Sequence, residues 1–82
     1  MLDKQIKIIN YIVICISEFA KYKSISTKEA YKYLKQYKGI DFLNECYEAE
    51  HTLSLNDAVS DITEICKKNG GTIQWFYIMV QI

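Results

Sequence analysis

The N-terminal 21 residues constrain the fold most strongly, because their apolar side chains recur at helical spacing along two neighbouring lines. One line consists of positions 6, 9, 13, 16 and 20, and the other of positions 8, 12, 15 and 19. Together they cover most of a helical cylinder. This pattern predicts a helix over residues 3–21 at the centre of the core. A membrane span needs about 20 apolar residues, and the apolar run from Ile8 to Ile16 is too short and is interrupted by Asn10.

Ile14 is out of place on the polar side of this helix. Its neighbours on that side are Lys7, Asn10, Ser17 and Lys21. An exposed aliphatic side chain among polar ones indicates that another element, or a second chain, covers it. Ile14 is therefore a candidate interface residue.

Capping signals mark the start of a second helix. Ser26 and Glu29 have the spacing of a capping box, in which the serine hydroxyl and the glutamate carboxylate each accept a backbone N–H. We therefore predict a helix from Thr27 that ends at Gly39, because glycine commonly follows a helix in the left-handed conformation. Its predicted buried side chains are Ala30, Tyr33, Leu34 and Tyr37.

Two further helices are predicted after Gly39. The first covers about residues 41–50, and its initial aspartate favours a helix N-terminus. The second starts at the capping signal of Ser54 and Asp57, continues with apolar residues at helical spacing through Cys66, and ends before Gly70. The chain is therefore predicted to be mainly α, with a compact four-helix domain over residues 1–71.

The last eleven residues, 72–82, differ in character from the helical part. They form an apolar, β-favouring segment that predicts a C-terminal β-strand or an extended apolar tail. A single strand cannot satisfy its own backbone groups. The tail is therefore expected to pair with another chain, either the same tail of a second subunit or the sheet edge of a partner.

Composition disfavours several function classes. Ten lysines and ten acidic residues give a formal net charge of zero, so the overall positive field that draws proteins to nucleic acids or membranes is lacking. Three widely spaced cysteines without a C-x-x-C pair are typical of reduced thiols in the cytoplasm. No motif for catalysis, phosphate binding or a cofactor is present. We therefore predict a cytoplasmic protein that is not an enzyme and has no cofactor.

His51 is the only histidine, and Cys46 and Glu50 are the nearby side chains that could join it around a metal ion. A zinc site needs three or four convergent ligands, whereas residue 51 points about 100° away from residue 50 on a continuous helix. The preferred interpretation is a histidine that caps the carbonyl groups at a helix end.

The charges are segregated along the chain even though they cancel. Residues 21–38 contain six lysines and one acid, whereas residues 40–66 contain seven acids and no lysine or arginine. Two solvated helix faces would explain this pattern. An acidic surface that orients a basic partner would also explain it, and the seven tyrosines, a residue type enriched in interface hot spots, favour an interaction surface. The candidate partner-binding residues are Ile14, Asp41, Glu45, Tyr47, Glu48, His51, Trp75, Phe76 and Tyr77.

Several stretches carry a family resemblance: ISEFAK from Ile16, STKEAY from Ser26, the run from Lys38 to Ile62, and CKKNGG from Cys66. The chain resembles a bacterial family of unknown function, number 3791 in the domain-of-unknown-function series. The resemblance implies a small helical protein encoded beside an ADP-ribosyltransferase-like protein, in an arrangement similar to toxin and antitoxin pairs. It marks Tyr47, Glu48, His51, Thr52, Asp57 and Asp61 as positions of interest and implies no catalytic role.

The leading hypothesis is a non-enzymatic protein-interaction module, an antitoxin-like or accessory subunit that binds a protein partner and forms a homo-oligomer. The partner that the resemblance implies is an ADP-ribosyltransferase-like toxin. The alternative is a small dimeric DNA-binding regulator that uses the lysine-rich face of the second helix. A homodimer whose tails pair is compatible with both hypotheses.

Overall fold

The computed structural model describes residues 2–71, and within them the fold is mainly α, as the sequence predicts. The helices are α1 Leu2–Lys23, α2 Thr27–Gln36, α3 Gly39–Glu45, α4 Tyr47–Glu50 and α5 Leu55–Lys68. The predicted strand or apolar tail over residues 72–82 lies outside the described residues.

Both predicted capping signals are confirmed. At the start of α2, Ser26 Oγ accepts the Glu29 N–H at 3.0 Å, while Glu29 Oε1 accepts the Ser26 N–H at 3.2 Å. At the start of α5, Ser54 Oγ accepts the Asp57 N–H at 3.1 Å. Each cap satisfies donors that a helix N-terminus otherwise leaves unpaired, so these two boundaries follow from local sequence alone.

The core lies where α2, α3 and α5 pack against the C-terminal half of α1. Leu34, Leu43 and Ile62 are completely buried there, and so are the free thiols of Cys15 and Cys66. Burial raises the pKa of Cys66 to about 11, which keeps this thiol protonated and unreactive at neutral pH.

The prediction that α1 is central to the core is wrong for its N-terminal half. Cys15, Phe19 and Ala20 are buried, but several aliphatic side chains before them are about half exposed or more. The cause is the length of the helix, since 22 residues extend about 33 Å and the buried residues of α1 all lie at position 15 or later. The exposed side chains are Leu2, Ile6, Ile9, Val13 and Ile14.

The role predicted for Gly39 is also wrong. The residue in the left-handed conformation is Lys38, with φ 71° and ψ 10°, and Gly39 is the first residue of α3. A Cβ at position 39 would lie 2.9 Å from Leu34 Cδ2 and 3.2 Å from Cys66 Sγ. A side chain at position 39 would therefore force its neighbours in the core to move, because three helices approach each other closely there.

The predicted third helix, residues 41–50, is two helices. The helix is interrupted at Cys46, whose φ of −106° and ψ of 20° end α3 and precede α4. The backbone groups at this break remain satisfied, since the Cys46 N–H donates to Phe42 O at 2.8 Å and Cys46 O accepts the Glu50 N–H at 2.9 Å. The described part of the chain therefore has five helices instead of four.

Candidate functional site

The short helix α4 and the residue that follows it, His51, provide three of the predicted partner-binding residues, and α4 contacts α1. The Tyr47 ring meets the Tyr11 ring edge-on at 5.5 Å between centroids, and the His51 ring stacks on Tyr47 at 4.4 Å. His51 Nδ1 lies 2.7 Å from Tyr47 O, a hydrogen bond in which the ring nitrogen donates. The predicted carbonyl cap at this helix end is therefore confirmed, and it fixes the orientation of an exposed imidazole.

Glu48 connects α4 to the first turn of α1. Its Oε1 lies 2.8 Å from Lys4 Nζ, and both side chains are largely exposed. The hydrogen bond to Lys4 lowers the pKa of Glu48, and the same bond raises the pKa of Lys4. Exposed ion pairs contribute little to stability, so this pair mainly orients the carboxylate.

Ile14 lies on the same side of α1 as this group. It follows Tyr11 by three residues, which places the two side chains next to each other on a helix, and Tyr11 contacts Tyr47. Ile14 is 49% exposed. We call Ile14, Tyr47, Glu48 and His51 the α4 surface. It combines an aliphatic side chain, a stacked ring pair and a carboxylate.

The other predicted site residues are not part of the α4 surface. Asp41 and Glu45 lie on α3 and line a shallow depression with Phe42 and with Ile65 of α5. Asp41 Oδ2 is 4.0 Å from Lys38 Nζ, an exposed pair. Trp75, Phe76 and Tyr77 lie outside the described residues. The predicted acidic residues Asp41, Glu45 and Glu48 therefore belong to two helices instead of one.

The last residue of α4, Glu50, has a buried carboxyl group. Glu50 is only 6% exposed, and its Oε1 has no hydrogen-bond partner among the described residues. Burial and the neighbouring Asp61 carboxylate raise the pKa of Glu50 to about 7. The spacing of Leu43, Tyr47 and Glu50, four and then three residues apart, is a signal that could have indicated this burial.

Metal binding by Cys46, Glu50 and His51 does not fit this arrangement, because Glu50 is buried and His51 Nδ1 is bonded to Tyr47 O. Among residues 2–71, no group of three histidine, cysteine, aspartate or glutamate side chains could hold a metal ion. A search of the same residues finds no helix with the length and apolar content needed to cross a membrane.

The fold and the α4 surface define a small helical protein whose candidate site is a solvent-exposed surface. The sequence model of one protein family, described as "Protein of unknown function (DUF3791)", matches residues 10–69 of the chain. The chain belongs to this family, and the predicted resemblance is confirmed. Comparisons with curated proteins and with solved structures return no match.

Proposed function

We propose that the chain is a non-enzymatic protein-interaction module, an antitoxin-like or accessory subunit that binds a protein partner through the α4 surface. The observation that carries this proposal is that half-exposed Ile14 lies one helical turn from Tyr11, whose ring contacts the stacked pair of Tyr47 and His51. Aromatic and aliphatic side chains grouped in this way form the centres of protein interfaces, whereas charged groups surround them.

The chemistry of the α4 surface favours a partner with a basic rim around an apolar centre. Glu48 lies at its edge, and Asp41 and Glu45 lie on the preceding helix. Such carboxylates raise the rate of association with a basic protein surface and disfavour association with an acidic protein surface. The ADP-ribosyltransferase-like protein that the family resemblance implies is the first partner to test. Three free cysteines agree with action in a reducing cytoplasm.

The first prediction concerns Ile14. Replacing Ile14 with lysine places a charge at the apolar centre of the proposed interface, where it would be desolvated without a counterion. We expect recovery of the partner to fall at least about tenfold, which corresponds to about 1.4 kcal/mol of binding free energy. The measurement is affinity purification of the tagged full chain at native expression in its host, with the partner quantified by mass spectrometry.

Tyr22→Lys is the matched control, since Tyr22 lies on the same helix and is 61% exposed, away from the α4 surface. This variant is expected to recover the partner as well as the unchanged chain does. Purification of the unchanged chain without a stoichiometric partner would contradict the proposal. Equal loss in the two variants would contradict the assignment to the α4 surface.

The alternative function, a dimeric DNA-binding regulator, is favoured by one observation on α2. Lys28, Lys32 and Lys35 are all exposed, and the Lys35 ammonium lies 5.7 Å from the centre of the Tyr31 ring. A dimer would present two such lysine rows. Phosphate contacts by lysine are independent of sequence and depend steeply on salt.

The second prediction separates this alternative from the leading proposal. If both lysine rows contact phosphates, the logarithm of the DNA affinity should fall with the logarithm of salt concentration with a slope of about −5. The measurement is a gel-shift titration of duplex DNA at several salt concentrations, with Lys32→Glu as the variant. Absence of retardation even at low salt would exclude the regulator, and the interaction module predicts this result.

A further inference from the structure

Four aliphatic side chains form a continuous exposed line along the N-terminal half of α1. Leu2, Ile6, Ile9 and Val13 are 70%, 48%, 60% and 55% exposed, respectively. We call these four residues the α1 stripe. Exposed apolar side chains on soluble proteins are usually scattered singly, whereas a contiguous row marks an interaction site. Ile14, the one α1 residue of the α4 surface, lies on another side of this helix. The α1 stripe and the α4 surface are therefore separate.

The spacing within the α1 stripe is that of a coiled coil. Its members are separated by four, three and four residues, and Ile16 and Ala20 continue the same alternation. Apolar residues at this average period of 3.5 form a seam into which a second helix with the same period packs. A second copy of this chain carries the matching seam.

The fold determines which part of the seam is free and how a second copy can approach. Ala20 is buried beneath the turn into α2, where the Ile25 N–H donates to Ala20 O at 3.0 Å. A partner helix can therefore follow the seam only up to Val13. The C-terminal half of each α1 is covered by its own α2. In a parallel pair these two covered halves would lie side by side and collide. In an antiparallel pair, the covered half of each helix lies beyond the N-terminus of the other helix.

The positions next to the α1 stripe also suit a second copy. They are occupied by Asp3, Gln5, Asn10 and Ile12, of which only Asp3 is charged. In an antiparallel pair, Asp3 of each copy lies near Asn10 of the other, so like charges do not meet. Each chain has a formal net charge of zero, which leaves no long-range repulsion between copies.

We infer that two copies of the chain form an antiparallel homodimer through the α1 stripe, with Leu2 opposite Val13 and Ile6 opposite Ile9. This inference goes beyond the proposed function, because it concerns a second copy of the chain and a different side of α1. It also locates the expected homo-oligomer on α1 instead of on the tail. Each copy contributes an apolar patch of a few hundred Å², on the order of the largest patches on monomers.

The size of this patch determines how tight the dimer can be. With the flanking polar side chains, the interface lies near the lower limit for specific complexes, about 1,200 Å² in total. The dimer is therefore expected to dissociate in the micromolar range. Its population should depend on concentration over the range that sedimentation experiments cover.

The third prediction tests the dimer. Sedimentation equilibrium of the purified full chain should give a mass that rises with concentration to twice the 9.6 kDa of one chain. Ile9→Lys should raise the dissociation constant at least about tenfold, because it buries an unpaired charge at the centre of the seam. Ile9 is exposed, so the variant should keep the helical circular dichroism of the unchanged chain.

Ile14→Lys is the matched control, since it adds the same charge to the same helix outside the α1 stripe and should leave the dimer intact. Cross-linking tests the orientation: a Leu2→Cys copy should form a disulfide with a Val13→Cys copy but not with another Leu2→Cys copy. A monomer at every concentration, or an Ile9→Lys dimer as stable as the unchanged one, would overturn the inference. Neither result affects the partner-binding proposal, which is tested separately by the recovery of the partner with Ile14→Lys.

Discussion

Replacing Gly39 with valine is expected to lower the free energy of unfolding by about 2–3 kcal/mol. A Cβ at this position would lie 2.9 Å from Leu34 Cδ2 and 3.2 Å from both Cys66 Sγ and Ile62 Cγ2. All three side chains are completely buried, so they have no free space into which to move. In a domain of this size the loss should lower the melting temperature by about 10 °C or more, measured by circular dichroism.

Two further variants test the cause of this loss. Ala49→Val introduces the same side chain at an exposed position of α4 and should cost only a few tenths of a kcal/mol. Combining Gly39→Val with Leu34→Ala should cost at least about 1 kcal/mol less than the sum of the two single changes, because valine fills space that leucine vacates. Strict additivity would show that close packing against Leu34 is not the reason for glycine.

The other large effect is expected at Glu50, where stability should decrease as the pH rises. Burial, and secondly the Asp61 carboxylate, raise the pKa of Glu50 from 4.5 to about 7. Because the folded chain binds this proton more tightly than the unfolded chain, the stabilisation is complete below a pH of 4.5 and is lost as the pH passes through about 7. Glu50→Gln keeps a neutral group at every pH and should remove this dependence.

Urea denaturation at about pH 5 and about pH 8 measures the difference. At the higher pH, Glu50→Gln should be more stable than the unchanged chain by about 1–2 kcal/mol, whereas at the lower pH the two should be nearly equal. Glu45→Gln is the control, since it removes an exposed carboxylate of α3 and should leave the pH dependence unchanged. If the free energy of unfolding changed equally with pH in Glu50→Gln and in the unchanged chain, the role of Glu50 would be contradicted.

Features that depend on neighbouring residues could be predicted from the sequence. The starts of α2 and α5 are determined by hydrogen bonds between residues three positions apart, so the pattern of Ser26 with Glu29 and of Ser54 with Asp57 is sufficient. The His51 cap on Tyr47 O is local in the same sense. The inward faces of α2 and α5 follow from helical periodicity.

Features that depend on distant residues could not be predicted. Gly39 was interpreted from its position after α2, but its packing depends on Cys66, which lies far away in the sequence. The break at Cys46 occurs where α4 packs against Tyr11, and no local signal marks it. Glu50 shares helical spacing with Leu43 and Tyr47, but charged residues are usually exposed, so this spacing alone does not predict its burial.

The candidate site was predicted in part for the same reasons. Tyr47, Glu48 and His51 are close in sequence, and the structure places them together. Ile14 was selected because it interrupts a polar side of its helix, and its exposure in the structure agrees with that reasoning. Asp41 and Glu45 were grouped with Glu48 on the assumption of one helix, and the interruption at Cys46 places Glu48 on a separate short helix.

The short connections of the chain determine how it can respond to a partner. Only Tyr37 and Lys38 join α2 to α3, and only Cys46 joins α3 to α4. With so few residues between the helices, the segment from Thr27 to Glu50 has little room for a hinge. A partner that bound as proposed would therefore meet a backbone that is already ordered in this segment, which would reduce the conformational entropy lost on association.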